Sequence, residues 1–484
     1  MISMLDKIPY TDTFFSELNP HAIRCTALMR GFQVPDAHAF TYCELGCGTG
    51  HSLLIFASAN PDALFTGIDF NEEHIAFAKE RVEKLGIKNC VFQCADITTV
   101  ASLPAFDYIV MHGLYTWVHE PVRESIHRII EGSLTQNGLA LVSYNAYPGW
   151  HVFEPLRMMF REYSLHLSNN PFYNAEQGIG FLQWMHEKQS EYMKVVPSAG
   201  LFIEELSKHD MRYIIHEYYA DHWTPLWFKE MNVKMNDSGL TFAGQLPFFL
   251  NIGEIALPEG FEEILDIGED LIQFEMYKDL IRNTMFRWDI YAKGVRDIES
   301  PFDHMHFARV LSQEISLHDI ALPGCRAITL DDDSHLRIIG ELESGYSTAS
   351  MISSSLNLDQ SEVQDGLLNL LIAEQIKPIA CNAASDRALK EYTLILIAFL
   401  EEAIGHDEHV IPSLHSGSGI IINKDTALFL LATIKHEEDA IDWIAEWMEF
   451  HGYGTFNITR IHAEESYSTF TTTIPFWKRM LILK

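Results

Sequence analysis

FTYCELGCGTGHSLLIFASANPDALFTGIDF, residues 40–70, decides the fold. An apolar run ends in Cys43-Glu44-Leu45 and feeds the turn Gly46-Cys47-Gly48-Thr49-Gly50; a short apolar helix follows, and a strand over 65–68 closes on Asp69. Strand, turn, helix and strand in that order make one unit of a doubly wound parallel sheet. Three glycines let the backbone turn tightly and let a ligand lie against bare peptide groups at a helix start, while the acid after the next strand can accept both ribose hydroxyls. A nucleoside ligand fits this arrangement.

The spacing narrows the choice of nucleoside. A dinucleotide fingerprint, Gly-x-Gly-x-x-Gly, would need glycine at the position of His51, but here the third glycine is Gly50. Glu44 precedes the turn, and a carboxylate there is a poor neighbour for pyrophosphate but a good one for an ammonium group. ELGCGTG resembles motif I of class I methyltransferases, whose cofactor is S-adenosylmethionine. The resemblance implies that Glu44, Gly46, Cys47, Gly48 and Gly50 hold the amino-acid end of the cofactor, Asp69 and Phe70 the ribose, and Asp96 with Ile97 the adenine. His112, after the fourth strand, is expected beside the cofactor as well.

Farther along, 71–86 has helical spacing and stops at Gly86, and strands are expected at 90–93, 106–111 and 139–144. Five strands alternating with four helical stretches in about 150 residues are the size of one α/β domain. Residues 151–222 are instead helical and rich in Met and aromatic side chains, which predicts an inserted lid or dimerisation domain; Trp184, Met185 and Met193 read as its core or a subunit interface. The sheet is expected to resume at 240–246, after a helix over 225–236, and to finish at 286–292. The expected division is 1–150, 151–222, 223–296 and 297–484. Within the last region 326–380 looks winged-helix-like, with a strand at 326–330, a helix at 336–345 and a second helix capped by Asp359 and Glu362. Helices near 389–403 and 425–435 and a final apolar helix follow.

The likeness extends beyond motif I. HGLYTWVHEPVRE (112–124), SYNAYPGWHVFEPLRMMFREY (143–163), SKHDMRYIIHEYYADHWTPLWFKEM (207–231) and FEMYKDLIRNTMFRWDIYAKG (274–294) resemble bacterial methyltransferases that carry a methyltransferase regulatory domain. That group includes the rickettsial outer-membrane-protein lysine methyltransferases. The resemblance covers most of 8–294 and is looser beyond. It implies a Rossmann-like class I methyltransferase sheet with an inserted helical domain and a C-terminal α+β region, and lysine amines of a protein as methyl acceptor.

Composition sets limits on partners. The 484 residues carry 34 basic and 67 acidic side chains, a net charge of −33. Such a surface repels nucleic acid and steers in a basic peptide or an amine, although plain solubility accounts for the charge equally well. The winged-helix-like segment holds only Arg326, Arg337 and Lys377 as basic residues, so it reads as a protein-docking module rather than a DNA reader. Seven cysteines without paired spacing point to free thiols and a cytoplasmic protein, and neither a signal peptide nor a membrane span is legible. His406-Asp407-Glu408-His409, His304-Met305-His306 and His216-Glu217 all lack the His-Glu-x-x-His spacing, so no metal is expected.

A free lysine has a pKa of about 10.4, so an amine methyltransferase must desolvate the amine or offer a proton acceptor. Candidates stand at the carboxyl edge of the sheet: His112, Tyr115, Trp117 and His119 after the fourth strand, and Tyr144, Asn145, Tyr147, Trp150 and His151 after the fifth. Asn145-Ala146-Tyr147-Pro148 partly echoes the Asn/Asp-Pro-Pro-Tyr/Phe motif of nitrogen methyltransferases, but it follows the fifth strand and lacks the first proline. Tyr144, Asn145 and Tyr147 are therefore expected to orient the amine, with His112 or His119 as proton acceptor. Tyr115, Trp117 and Trp150 are expected as aromatic walls for the substrate, with packing as the alternative role for the tryptophans. A small amine, hydroxyl or carbon acceptor, and a non-catalytic scaffold that only binds the cofactor, are the competing readings. A homodimer through the insert is a further expectation.

Overall fold

The computed structural model describes residues 13–266, 270–309, 318–330, 333–343, 345–379, 386–436, 438–453 and 456–481. Its centre is a seven-stranded sheet. β1 (Thr41–Leu45), β2 (Leu64–Asp69), β3 (Cys90–Cys94), β4 (Phe106–Met111) and β5 (Leu134–Asn145) run parallel; β6 (Thr241–Leu246) and β7 (Phe286–Ala292) complete the order β3-β2-β1-β4-β5-β7-β6. β7 is antiparallel to both of its neighbours. The strand order reverses between β1 and β4, and the carboxyl ends open a crevice there.

The helices of this domain follow from local signals. α1 (Pro20–Met29) has Asn19 as its cap, accepting the His21 N–H, and proline as its first residue. α2 (His51–Ala59) starts from left-handed Gly50 and is buried along nearly its whole length. α3 (Glu72–Leu85) is capped by Asn71 and ends at Gly86, with φ 73°. α4 (Glu120–Ser133) leads into β5. Residues 95–105, between β3 and β4, hold no helix, so the fourth helical stretch of this region is α1, in front of β1. β5 begins at Leu134, earlier than the pattern suggested; Asn137 takes φ 65° inside it, and the β4–β5 register shifts nearby.

Between β5 and β6 the chain makes α5 (Glu154–Ser164), α6 (Pro171–Glu187), α7 (Glu191–Val195), α8 (Ala199–Leu206) and α9 (Met211–Tyr219). These helices close around a core of their own, with Phe160, Leu182, Met193, Ile214 and Tyr218 inside and Met185 packed against it. Trp184 instead is 51% exposed and stacks on Phe181, which stacks on Tyr163. α10 (Phe228–Asp237) precedes β6, and α11 (Gly253–Ala256) and α12 (Leu271–Arg282) precede β7. A buried ionic cluster pins α12 to the sheet. Arg287 of β7 pairs with Asp279 at 2.7 Å, Glu275 at 2.8 Å and Asp289 at 2.9 Å, and Lys278 pairs with Glu275 at 2.8 Å. Every charge in it has a partner, as burial demands.

The last third builds two layers. β8 (His306–Ala308), α13 (Asp333–Glu343), β9 (Tyr346–Ser347), α14 (Ala349–Leu356), α15 (Gln360–Ile372) and β10 (Lys377–Ile379) form a winged-helix-like unit whose antiparallel sheet runs β10-β8-β9. The strand expected at 326–330 is reduced to a single bridge, Ile320 to Ile328, and the central strand β8 comes from before that window. α16 (Asp386–Ala403), β11 (Glu408–Ser413), β12 (Ser418–Asn423), α17 (Lys424–Lys435), α18 (Ala440–Phe450), α19 (Phe456–Thr471) and α20 (Ile474–Leu481) follow. Leu396, Phe399, Ile411 and Ile422 share one core with Leu54, Phe56 and Ile75, so this region backs the helix that follows the glycine turn. Arg81 of α3 holds Glu402 of α16 at 2.8 Å. The cysteines among the described residues are free, and none of the described helices is long and apolar enough to cross a membrane.

Candidate functional site

The glycine turn is built as its spacing implied. Gly46, Gly48 and Gly50 have φ of 73°, 54° and 72°, where a side chain is strained. A Cβ on Gly50 would lie 2.3 Å from the Phe92 ring, whereas one on Gly48 would meet nothing within 4 Å. Gly50 is thus required by packing and Gly48 faces open space. Asp69, at the end of β2, accepts the Gly48 N–H on Oδ2 and the Asn71 N–H on Oδ1, both at 2.9 Å, which ties the acid to the turn. Each oxygen keeps lone-pair capacity for a sugar hydroxyl.

Glu44 supplies the electrostatics. It is buried, and one carboxylate oxygen, Oε2, has no hydrogen-bond partner. Burial, reinforced by the Asp69 charge, pushes its carboxyl up to about 8. A buried, unsatisfied acceptor is costly, and an ammonium group arriving from the crevice would satisfy it. At the other end of the crevice Asp96 holds the Thr98 hydroxyl and N–H, which keep its carboxyl below the ordinary range, while Ile97 is buried and Phe70 is 56% exposed. His119 lies near enough to Asp96 to act on its ionisation, with its ring 5.0 Å from that of His222.

Around β4, β5 and β7 a second cluster forms. His112 Nδ1 accepts from the Ser143 hydroxyl at 2.9 Å and from the Trp288 indole N–H at 3.3 Å, leaving its proton on Nε2. Burial pulls this imidazole down to about 4, so at neutral pH the ring is uncharged and a weak base. The Phe15 ring sits 3.9 Å from it, Trp288 stacks at 6.1 Å and Phe286 meets it edge-on at 5.9 Å. Phe15 N–H bonds Ser52 Oγ at 3.1 Å, so residues before α1 bridge the glycine helix and the end of β4. Asn145 donates from Nδ2 to Glu217 at 3.1 Å, and Tyr147 donates to Glu154 at 2.8 Å with its ring 5.5 Å from Trp227.

Three expected site residues turn away from this edge. Tyr144 is fully buried on the other face of the sheet and donates to Asp289 at 2.6 Å, because successive strand residues alternate sides. Tyr115 is buried, its hydroxyl 2.8 Å from His127 Nε2 and the Arg123 guanidinium over its ring. Trp150 packs against Trp223 and Tyr218 in the core of the insert. Trp117 is half-buried in the turn after β4. Phe15, Ser143, Glu217, Phe286 and Trp288 are the neighbours that the sequence reading did not select. Phe286 and Trp288 lie in a strand that was foreseen, but its register opposite Asn145 and Ser143 was not.

Residues 37–218 match a family described as a methyltransferase domain, and residues 210–293 a family described as a predicted methyltransferase regulatory domain. With the glycine turn, the sheet order and the acids of β1 and β2, the chain is a class I S-adenosylmethionine-dependent methyltransferase that carries this regulatory domain. Its likeness to relatives runs beyond these two matched domains. An uncharacterized protein of Synechocystis sp. is 26% identical over 455 residues, covering 89% of this chain and 88% of its own length. One from Rickettsia prowazekii is 29% identical over 291 residues, covering 58% of this chain and 51% of its own. Among solved structures, PKMT2 from Rickettsia typhi in complex with AdoHcy matches over 98% of this chain and 100% of its own, with TM-score 0.72 at 21% identity, so the two share a fold.

Proposed function

We propose that this methyltransferase acts on lysine amines of a protein substrate. The observation that carries the reading is the cluster of Phe15, His112, Phe286 and Trp288 beside Asn145, where β4, β5 and β7 meet next to the glycine turn. Aromatic faces favour a cationic ammonium by roughly 0.5–2 kcal/mol each. The net charge of −33 draws basic segments toward the protein, and the fold shared with PKMT2 is in keeping with a protein acceptor.

S-adenosylmethionine, when bound, supplies the methyl group for an in-line displacement. Asp69 then holds the ribose, the Glu44 carboxylate faces the ammonium end, and Asp96 with Ile97 borders the adenine. Neutral His112 can donate from Nε2, and Asn145 and Tyr147 line the approach of the amine. Loss of water around the amine as it enters the cleft lowers its affinity for the extra proton, which passes to solvent before the neutral nitrogen attacks the methyl group, and the aromatic faces then receive the positive charge that the methylated amine carries.

Incubation of the protein with tritiated S-adenosylmethionine and a cell lysate should place label on protein lysines. Label found only in small molecules would overturn the lysine reading in favour of a metabolite acceptor.

A further inference from the structure

We propose that Glu217 is a positioning residue for the methyl acceptor: its carboxylate fixes the Asn145 amide so that Oδ1 is presented to the incoming amine. The inference rests on the amine reading above. Asn145 ends β5 on the same sheet face as Ser143, about 7 Å farther toward the carboxyl edge. Phe286 stands directly opposite in register, and the Phe286 ring meets His112 at 5.9 Å, so Asn145 borders the aromatic cluster. Its backbone is held on both sides, the N–H donating to Thr116 Oγ1 at 2.9 Å and the carbonyl accepting from Leu226 N–H at 3.0 Å. Only its side chain is left to be oriented.

Glu217 does this from α9 of the insert, where Oε1 accepts from Asn145 Nδ2 at 3.1 Å. An ionised carboxylate only accepts hydrogen bonds, so the amide must turn its NH2 toward Glu217 and keep its oxygen for another donor. An amine N–H satisfies that oxygen and leaves the nitrogen lone pair free to align with the transferring methyl. The pair lies deep, with Glu217 7% exposed and Asn145 2%. Facing Glu217 are the Arg157 guanidinium of α5, itself flanked by Glu154 and Arg161, and Tyr218 of its own helix. Burial pushes the Glu217 carboxyl up to about 7, against the Asn145 hydrogen bond and the attraction of Arg157. Once protonated, that carboxyl can donate to Oδ1, which turns the amide and occupies its acceptor. No substrate proton passes to Glu217; its effect goes through Asn145.

The test uses the full chain with S-adenosylmethionine and poly-L-lysine as the acceptor probe. Product AdoHcy is followed across neutral pH, and AdoHcy affinity is measured by calorimetry as a check on folding. Glu217→Ala and Asn145→Ala should each lower kcat by roughly tenfold to a hundredfold with AdoHcy affinity unchanged, and the double variant should be no slower than Asn145→Ala alone. Glu217→Gln keeps an acceptor oxygen for Asn145. It should restore part of the rate and lack the wild-type inflection near pH 7, leaving only the slope set by the acceptor amine. Wild-type kcat in Glu217→Ala, additive losses, or the same inflection in Glu217→Gln would overturn the positioning role alone. A wild-type protein that leaves poly-L-lysine unmethylated would overturn the amine reading, and this role with it.

Discussion

The two ends of the sheet were assembled in different ways. At the β1–β2 end, the glycine turn, Glu44 and Asp69 fall within one short run of sequence, and backbone conformation alone brings them together: Gly46 and Cys47 N–H groups both bond the Ile68 carbonyl, and Asp69 bonds Gly48. At the β5–β7 end, Phe15, His112, Asn145, Glu217 and Trp288 come from five separate segments and meet only through sheet register and the insert. The first kind of site tolerates change elsewhere in the chain. The second depends on every element that carries a piece of it.

The contrast can be broken most strongly from the β7 side. Arg287→Met leaves Asp279 and Asp289 without their buried cation and Glu275 with Lys278 alone, and removing one member of such a group costs about 3–5 kcal/mol. Urea unfolding should show a loss of that size, and AdoHcy affinity of the protein that stays folded should change little. An Arg287→Met protein as stable as the wild type would mean that the cluster does not hold β7 in place. At the β1–β2 end, Asp69→Ala removes the acceptor of the Gly48 and Asn71 N–H groups together with the proposed ribose contact, and AdoHcy affinity should fall by about a hundredfold, or ~2.7 kcal/mol.

Glu44 sharpens the comparison through pH. Its carboxyl titrates at about 8, so below that value the free protein holds a proton there. In the proposed binding mode the ammonium end of AdoHcy favours the ionised form, so binding releases the proton and affinity should rise with pH up to about 8, by at most about tenfold per pH unit, then level off. Calorimetry on Glu44→Gln should give a flat profile over the same range; an unchanged slope would show that another group titrates. The smallest effect belongs to the aromatic cluster. Trp288→Ala removes a stacking partner and a hydrogen bond from His112, and it should lower kcat/KM with a lysine acceptor by roughly tenfold while leaving AdoHcy affinity within about twofold.

How much of the site was legible follows from the same contrast. Glu44, the glycines and Asp69 stand where motif spacing put them, because a turn between a strand and a helix is a local object. Tyr144 and Tyr115 were selected for lying near strand ends, yet Tyr144 falls on the other face of β5 and Tyr115, in the turn after β4, packs against Arg123 and His127 of α4, so both side chains join the core beneath the sheet. Asn145, one residue later, points to the other side. Trp150 sits at the carboxyl edge in sequence but is claimed by the insert, whose core needs its ring. Glu217 was visible only as half of a failed metal motif.

Periodicity, capping residues and glycine spacing were enough to establish the α/β class, the glycine turn, the helical insert and the late return of the sheet, since each depends on residues close along the chain. The partners of Asn145 and His112 came from folding itself, because helix packing joins Asn145 to Glu217 across 72 residues and antiparallel register brings Trp288 to His112 across 176, and no local pattern encodes which of them will touch. The docking of the β11–β12 hairpin against the helix after Gly50 is of that second kind too: the sequence pattern showed no strand between the helices near 389–403 and 425–435, and only the assembled core names the surface that this hairpin covers.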